Sequence, residues 1–172
     1  MRIYIVGYMG SGKSSIGKKL AARLGYLFID LDTRIEEQQN KTIVELFSEK
    51  GEEEFRTFER IALHETFYLD NLVVSTGGGT PIFFDNIDLM IKNGLCIYLQ
   101  ADIDVLISRL IPNQNIRPLI AHLSKEDLQK FIQEQLNIRE PYYLKAQLYI
   151  EAKGLTPAIL HKKVLNWIEN KK

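Results

Sequence analysis

The segment Gly7-Tyr8-Met9-Gly10-Ser11-Gly12-Lys13-Ser14 constrains this chain more than any other. It matches G-x-x-x-x-G-K-[ST], and each part of that pattern has a physical reason. Glycines let the backbone curl so that successive N–H groups point into one concavity, where they hold phosphate oxygens. The helix that follows adds the positive end of its dipole. Lys13 is suited to reach the β- and γ-phosphates, and the Ser14 hydroxyl is a hard oxygen ligand for Mg2+. Such a loop works between a strand and a helix, and the flanking residues supply both. Ile3, Tyr4, Ile5 and Val6 form an apolar, β-rich run, while Lys13–Leu24 sets Ile16, Leu20 and Leu24 on one stripe and meets Gly25 as its stop. The loop points to a nucleoside triphosphate.

The alternation it starts continues along the chain. Short apolar runs recur at 27–29, 72–74, 95–99 and 148–150, each reading as a strand buried on both faces of a parallel sheet. Amphipathic stretches lie between them. Thr42 and Glu45 fit a capping box, and Gly51 closes that short helix. The stretch 52–69 puts Phe55, Phe58, Ala62 and Leu69 on one face, and Ser124 opens a helix carrying Leu128, Phe131, Ile132 and Leu136 inward. Thr156 followed by Pro157 starts the last helix, with Val164, Trp167 and Ile168 on its apolar side. This is an α/β fold with an open sheet and helices on both faces, which binds ligands beyond the carboxyl ends of its strands.

No linker or repeat divides the 172 residues, so 1–172 reads as a single domain. A chain 45% hydrophobic and 26% charged buries a proper core. Twenty-two basic against 22 acidic residues give zero formal charge, which argues against a general grip on nucleic acid or an anionic membrane. The apolar runs are too short to span a bilayer, and the chain enters its first strand with no signal-peptide pattern ahead of it. The single cysteine, Cys96, excludes an internal disulfide framework. A cytoplasmic, soluble protein acting as a monomer is expected.

The phosphate loop does not say what receives the phosphoryl group. Asp30 and Asp32 end the second strand, where period two would aim both carboxylates at the loop. One is suited to hold Mg2+ and the other to accept a hydroxyl proton, although Asp32 also reads as a plain N-cap of a helix over 33–39. Arg56 lies beside an apolar stripe with Glu59 three residues on, an arrangement that fits either bidentate carboxylate capture or a solvated surface pair. Gly77, Gly78 and Gly79 follow the third strand; they suit close backbone approach to a ligand, or else a turn that needs positive φ. The long connection 111–123 holds Arg117 among Ile116, Leu119, Ile120 and Leu123, which is too apolar for a solvated tail and fits a closing lid. Arg139 lies just ahead of Glu140 and Pro141, where its bland reading is a favourable charge near a helix C-terminus. His64, His122 and His161 lack metal-ligand spacing, and Tyr142, Tyr143 and Trp167 read as packing.

Together these marks resemble the shikimate kinase family, in order and spacing, from residue 3 to about 168. The resemblance rests on the phosphate loop, Asp30 with Asp32, the Gly51 to Glu59 segment with Arg56, the triple glycine, and Arg117-Pro118-Leu119. It implies a three-layer P-loop kinase fold, a five-stranded parallel sheet in order 2-3-1-4-5 with a mobile lid. It implies transfer of the ATP γ-phosphoryl to the 3-hydroxyl of shikimate, in the pathway to chorismate and the aromatic amino acids, with ATP as co-substrate and one Mg2+ per subunit. ATP contacts would come from Gly10, Ser11, Gly12, Lys13, Ser14 and Ser15, from Arg117 on the lid, and from Arg109 and Lys153 near adenine. Ser14 would ligate Mg2+ and Asp30 would hold it through water. Asp32 would bind the hydroxyl that is phosphorylated, and Arg56 and Arg139 would grip the carboxylate, with Gly77, Gly78 and Gly79 supplying backbone contacts. Lys13, Asp32 and Arg117 would carry catalysis. Two other readings stand beside it: a kinase for another small hydroxy acid such as gluconate, and a nucleotide-dependent switch without an acceptor.

Overall fold

The computed structural model describes residues 1–116 and 120–171, with the backbone alone at 113, 115 and 116. Five strands, β1 (Arg2–Val6), β2 (Leu27–Asp30), β3 (Leu72–Ser75), β4 (Leu95–Gln100) and β5 (Leu148–Glu151), form one sheet in the order β2-β3-β1-β4-β5. Every pairing is parallel. Helices α1 (Lys13–Leu24), α2 (Leu31–Gln39), α3 (Ile43–Glu65), α4 (Asn86–Asn93), α5 (Ile103–Leu110), α6 (Lys125–Tyr143) and α7 (Pro157–Glu169) make the crossovers.

Alternation along the strands builds two cores. Ile3, Ile5, Val73, Ile97 and Ile150 turn to one face and pack on Leu20 and Ala21 of α1 and on Leu160 and Val164 of α7. Tyr4, Val6, Val74, Cys96 and Tyr98 turn to the other and pack with Leu63 of α3, Met90 of α4, Leu106 of α5 and Ile132 of α6. Both faces of the central strands are therefore apolar, which is why those strands read as continuous hydrophobic runs. Cys96 is free and buried, and burial pushes its thiol well above the ordinary range.

Local signals set the ends of most elements. Gly25 adopts the left-handed conformation at the C-cap of α1, and Thr42 with Glu45 makes the capping box of α3. Gly51, at φ 78° and ψ 176°, is non-helical and parts α3 into two helical segments at a kink, so the first segment closes at Gly51 as the sequence leads one to expect. Four expectations change. Strand β2 ends at Asp30, not Asp32, because Asp30 itself is the N-cap of α2 and accepts a hydrogen bond from the Thr33 amide at 3.4 Å. The helix expected to run to 69 stops at Glu65 and tightens into a 3₁₀ turn, Thr66–Tyr68, leaving Leu69 38% exposed rather than inward. Arg139 does not end its helix, because α6 continues through Pro141 to Tyr143. The connection after α5 starts with a 3₁₀ helix, Ile111–Ile116, and the Gln114 side chain donates to the carbonyls of Ile120 and Leu123. Ile120 is fully buried, so the end of that connection is anchored in the core. Arg117, expected on a lid, lies outside the described residues.

Candidate active site

The loop between β1 and α1 curls as its glycines permit. Gly10 and Gly12 sit at φ 82° and 101°, where a side chain would be strained. Lys13, though nearly buried, folds back to donate to the carbonyls of Gly7 and Tyr8 at 2.8 and 2.9 Å. The Ser11 hydroxyl is buried with no hydrogen-bond partner among the described residues, an orphan acceptor and donor facing its own loop. Arg109, in the last turn of α5, donates to the carbonyls of Gly10 and Ser11 at 3.1 and 2.8 Å and braces the loop from outside. Ser15, Lys19, Arg109, Ala152 and Leu155 line a groove of about 430 Å³ beside the loop. Lys153 is exposed between two residues near that groove and is not among those that line it.

Ser14 opens α1 with its hydroxyl 3.2 Å from that of Ser75, the last residue of β3. This pair, with Asp30 at the end of neighbouring β2, is a set of hard oxygen donors that fits Mg2+. Ser75 was not singled out from the sequence; only the sheet order brings β3 beside the loop.

Asp32 reaches the same space from the first turn of α2, one helical step beyond the strand. Asp32 is exposed as a residue, yet the protein packed around its carboxyl strips water from it. Lost hydration, then the negative charges of Glu59 and Asp30, push its carboxyl up to about 7 against the pull of Lys13. The nearby backbone is close as well. A β-carbon on Gly77 would fall 2.6 Å from Glu59 Oε1 and 3.0 Å from Asp32 Oδ1.

Arg56 is buried, not a solvated surface residue. Nη1 meets Glu59 Oε2 at 2.5 Å, Nη2 meets Glu52 Oε1 at 2.8 Å, and the guanidinium lies over the Phe83 ring at 4.2 Å. Burial works against its charge, but Glu59 and Glu52 outweigh that and hold it above its ordinary value. Thr80 Oγ1 donates to the other Glu59 oxygen at 2.7 Å. The three glycines each have a different neighbour. Gly79 lies against Arg56, whose Nη1 would be 2.5 Å from an added β-carbon. Gly78 lies against the phosphate loop and Arg139, with Met9 N at 3.3 Å and Arg139 Nη1 at 3.5 Å from such an atom. None of the three has positive φ, so it is close approach and not turn strain that requires them. Arg139 itself donates to Gln135 at 2.6 Å, and its guanidinium lies 5.4 Å from the Tyr8 ring centre.

A phosphate cradle, a carboxylate and two arginines thus converge on one triple glycine. The shikimate kinase family model matches residues 9–169. The chain belongs to the shikimate kinase family. A relative from Parabacteroides distasonis, named shikimate kinase, is 43% identical over 161 residues and shares 93% of either chain. The crystal structure of shikimate kinase from Bacteroides thetaiotaomicron superposes with a TM-score of 0.91 at 39% identity, covering 98% of each chain. That of shikimate kinase from Acinetobacter baumannii in complex with shikimate gives 0.89 at 34% identity, covering 99% of this chain and 94% of that one. The expected sheet order and kinase fold hold. Among the described residues, no helix is long and apolar enough to cross a membrane.

Proposed function

We propose that this chain transfers the γ-phosphoryl group of ATP to the 3-hydroxyl of shikimate, giving 3-phosphoshikimate and ADP. The observation that carries this reading is the meeting, at Gly77, Gly78 and Gly79, of the phosphate loop, Asp32, Arg56 and Arg139. The ATP phosphates lie in the loop, against Gly10, Ser11, Gly12 and Lys13, with the base in the groove beside Ser15 and Arg109. Ser14 and Asp30 hold Mg2+, which when bound neutralises charge on the phosphate oxygens. Arg56 and Arg139 take the acceptor carboxylate, and Asp32 takes the hydroxyl.

The chemistry needs little covalent work from the protein. Asp32 accepts the hydroxyl proton as the acceptor oxygen bonds to the γ-phosphorus. The bond from that phosphorus to the β,γ-bridging oxygen breaks, and its electrons leave with ADP. A carboxyl raised to about 7 is well matched to take a proton near neutral pH. Lys13 turns from its own loop carbonyls to the transferring phosphoryl oxygens, and Arg117 adds its charge there. Positioning and charge neutralisation supply most of the acceleration.

Family membership favours shikimate over gluconate, and two arginines set beside Gly78 and Gly79 next to the phosphate loop favour a kinase over a switch without an acceptor. ADP release from ATP and Mg2+, run with shikimate, with gluconate and with neither, tests the reading. Turnover with shikimate alone is expected. Equal, slow release in all three would overturn the acceptor half of the assignment.

A further inference from the structure

The Tyr143 phenol belongs to the acceptor site although it faces no open space. Tyr143 is fully buried, and its hydroxyl donates to the Gly78 carbonyl at 2.6 Å. It stands four residues after Arg139 on α6, so the two side chains leave the same face of the helix one turn apart. The Arg139 guanidinium is close enough to the phenol to oppose, by charge and by hydrogen bonding, the rise that burial imposes on it. That hydroxyl holds the peptide at Gly78. Gly78 abuts Met9 N and Gly7 O of the phosphate loop and Nη1 of Arg139 on α6, so parts of the site that come from distant parts of the chain meet at this peptide.

We infer that Tyr143 is a positioning residue that presets the distance between Arg139 and the Gly78 backbone, and with it the grip on the acceptor carboxylate. The inference rests on the proposed function and deepens it. Without the hydroxyl, the half-buried Gly78 carbonyl loses that partner and the peptide is freer to rotate about its flanking bonds. Gly78, with no side chain, has little else to fix its orientation. Arg139 then keeps Gln135 and the Tyr8 ring, but the Gly78 peptide beside its Nη1 is no longer fixed. A small misplacement at this point is felt at the reacting hydroxyl, because the carboxylate anchors the whole acceptor.

Tyr143→Phe keeps the ring, and so its packing 5.2 Å from Tyr98, while removing the one oxygen. The full chain is assayed with shikimate and with its carboxamide, which lacks the anionic group but keeps the reacting hydroxyl. A roughly tenfold loss of kcat/KM is expected with shikimate, mostly in KM. With the carboxamide the loss should be less than about twofold, and KM for ATP should not change. Equal losses with both acceptors, or none with shikimate, would overturn the positioning role. Because a purely structural defect lowers both acceptors together, the comparison separates the two even if the variant is less stable. Should Tyr143→Phe fail to fold, Tyr143→Met, which fills the space flexibly and also lacks the hydroxyl, is run in the same two-acceptor comparison, and equal losses with both acceptors would again refute the role. If the wild type does not phosphorylate shikimate at all, it is the proposed function that fails.

Discussion

The Arg56–Glu59 pair allows binding and stability to be separated in one set of variants. Glu59 is 1% exposed and is held by Arg56 at 2.5 Å and by Thr80 at 2.7 Å. Arg56→Ala removes the guanidinium paired with that buried carboxylate, which keeps the Thr80 hydroxyl as a neutral donor. Breaking a buried pair on one side costs about 3 to 5 kcal/mol. In a domain of this size each kcal/mol lowers Tm by about 3 °C, so a fall of about 9 to 15 °C is expected. The same change removes a proposed bidentate contact to the shikimate carboxylate, worth about 2 to 4 kcal/mol and seen as a higher KM. Arg56→Lys should divide the two effects: an ammonium still neutralises Glu59 and keeps much of the stability, but it lacks the planar fork for the carboxylate. Adding Glu59→Gln to Arg56→Ala should restore at least half of the lost Tm, since no buried charge is then left unpaired. Thermal melts of the four proteins, with shikimate KM for each that folds, decide the matter. A Tm loss below about 3 °C in Arg56→Ala, or a double variant no better than the single, would refute the electrostatic account.

Other predictions rest on single observations. Asp32→Asn should lower kcat at least roughly 10²-fold if Asp32 takes the proton; a change confined to KM would make it a binding group only. The same carboxyl, raised to about 7, holds its proton in the folded state between about pH 4 and 7 where the unfolded chain has released it, so its contribution to stability falls as pH rises through that window. Because Asp32 is exposed and solvent screens it, the gain expected from Asp32→Asn at pH 8 is only about 1 kcal/mol, read as a higher Tm of the ligand-free protein. Wild-type kcat/KM should correspondingly rise with pH through about 7, and a profile flat from pH 5 to 8 would exclude Asp32 as the titrating base. Lys13→Ala should abolish turnover with the circular dichroism spectrum unchanged, and near-normal kcat would remove Lys13 from the reaction. Gly79→Ala places a methyl 2.5 Å from Arg56 Nη1 at a φ of −89° that alanine accepts, so it should raise the shikimate KM without backbone strain. An unchanged KM would mean that Arg56 moves aside at no cost.

Much of this molecule is written locally. The phosphate loop, the capping box at Thr42, the stop at Gly25 and the five apolar runs depend on spacing and side-chain chemistry over a few residues, and the strands and the starts of α1, α3, α6 and α7 fall where those signals put them, whereas α4 and α5 carry no such mark. The pairing of Arg56 with Glu59 was also legible, being three residues apart on one helix. Where a short-range signal has two outcomes, the sequence leaves it open. Asp32 suits the end of a strand or the N-cap of a helix; in the fold the cap is Asp30, and Asp32 lies inside the first turn of α2. The triple glycine was equally compatible with a strained turn and with crowding, and only the atoms around it choose crowding. What the tertiary structure alone decided is which distant residues share a site. Ser75 meets Ser14 because β3 lies next to β1 in the sheet, and Thr80 closes on Glu59 because the loop after β3 packs on α3. Tyr143 reaches Gly78 across 65 positions of chain. Nothing in a stretch of tyrosines, serines or threonines marks such partners, since each hydrogen bond is made between groups that are ordinary by themselves and become specific only when folding removes the water from both.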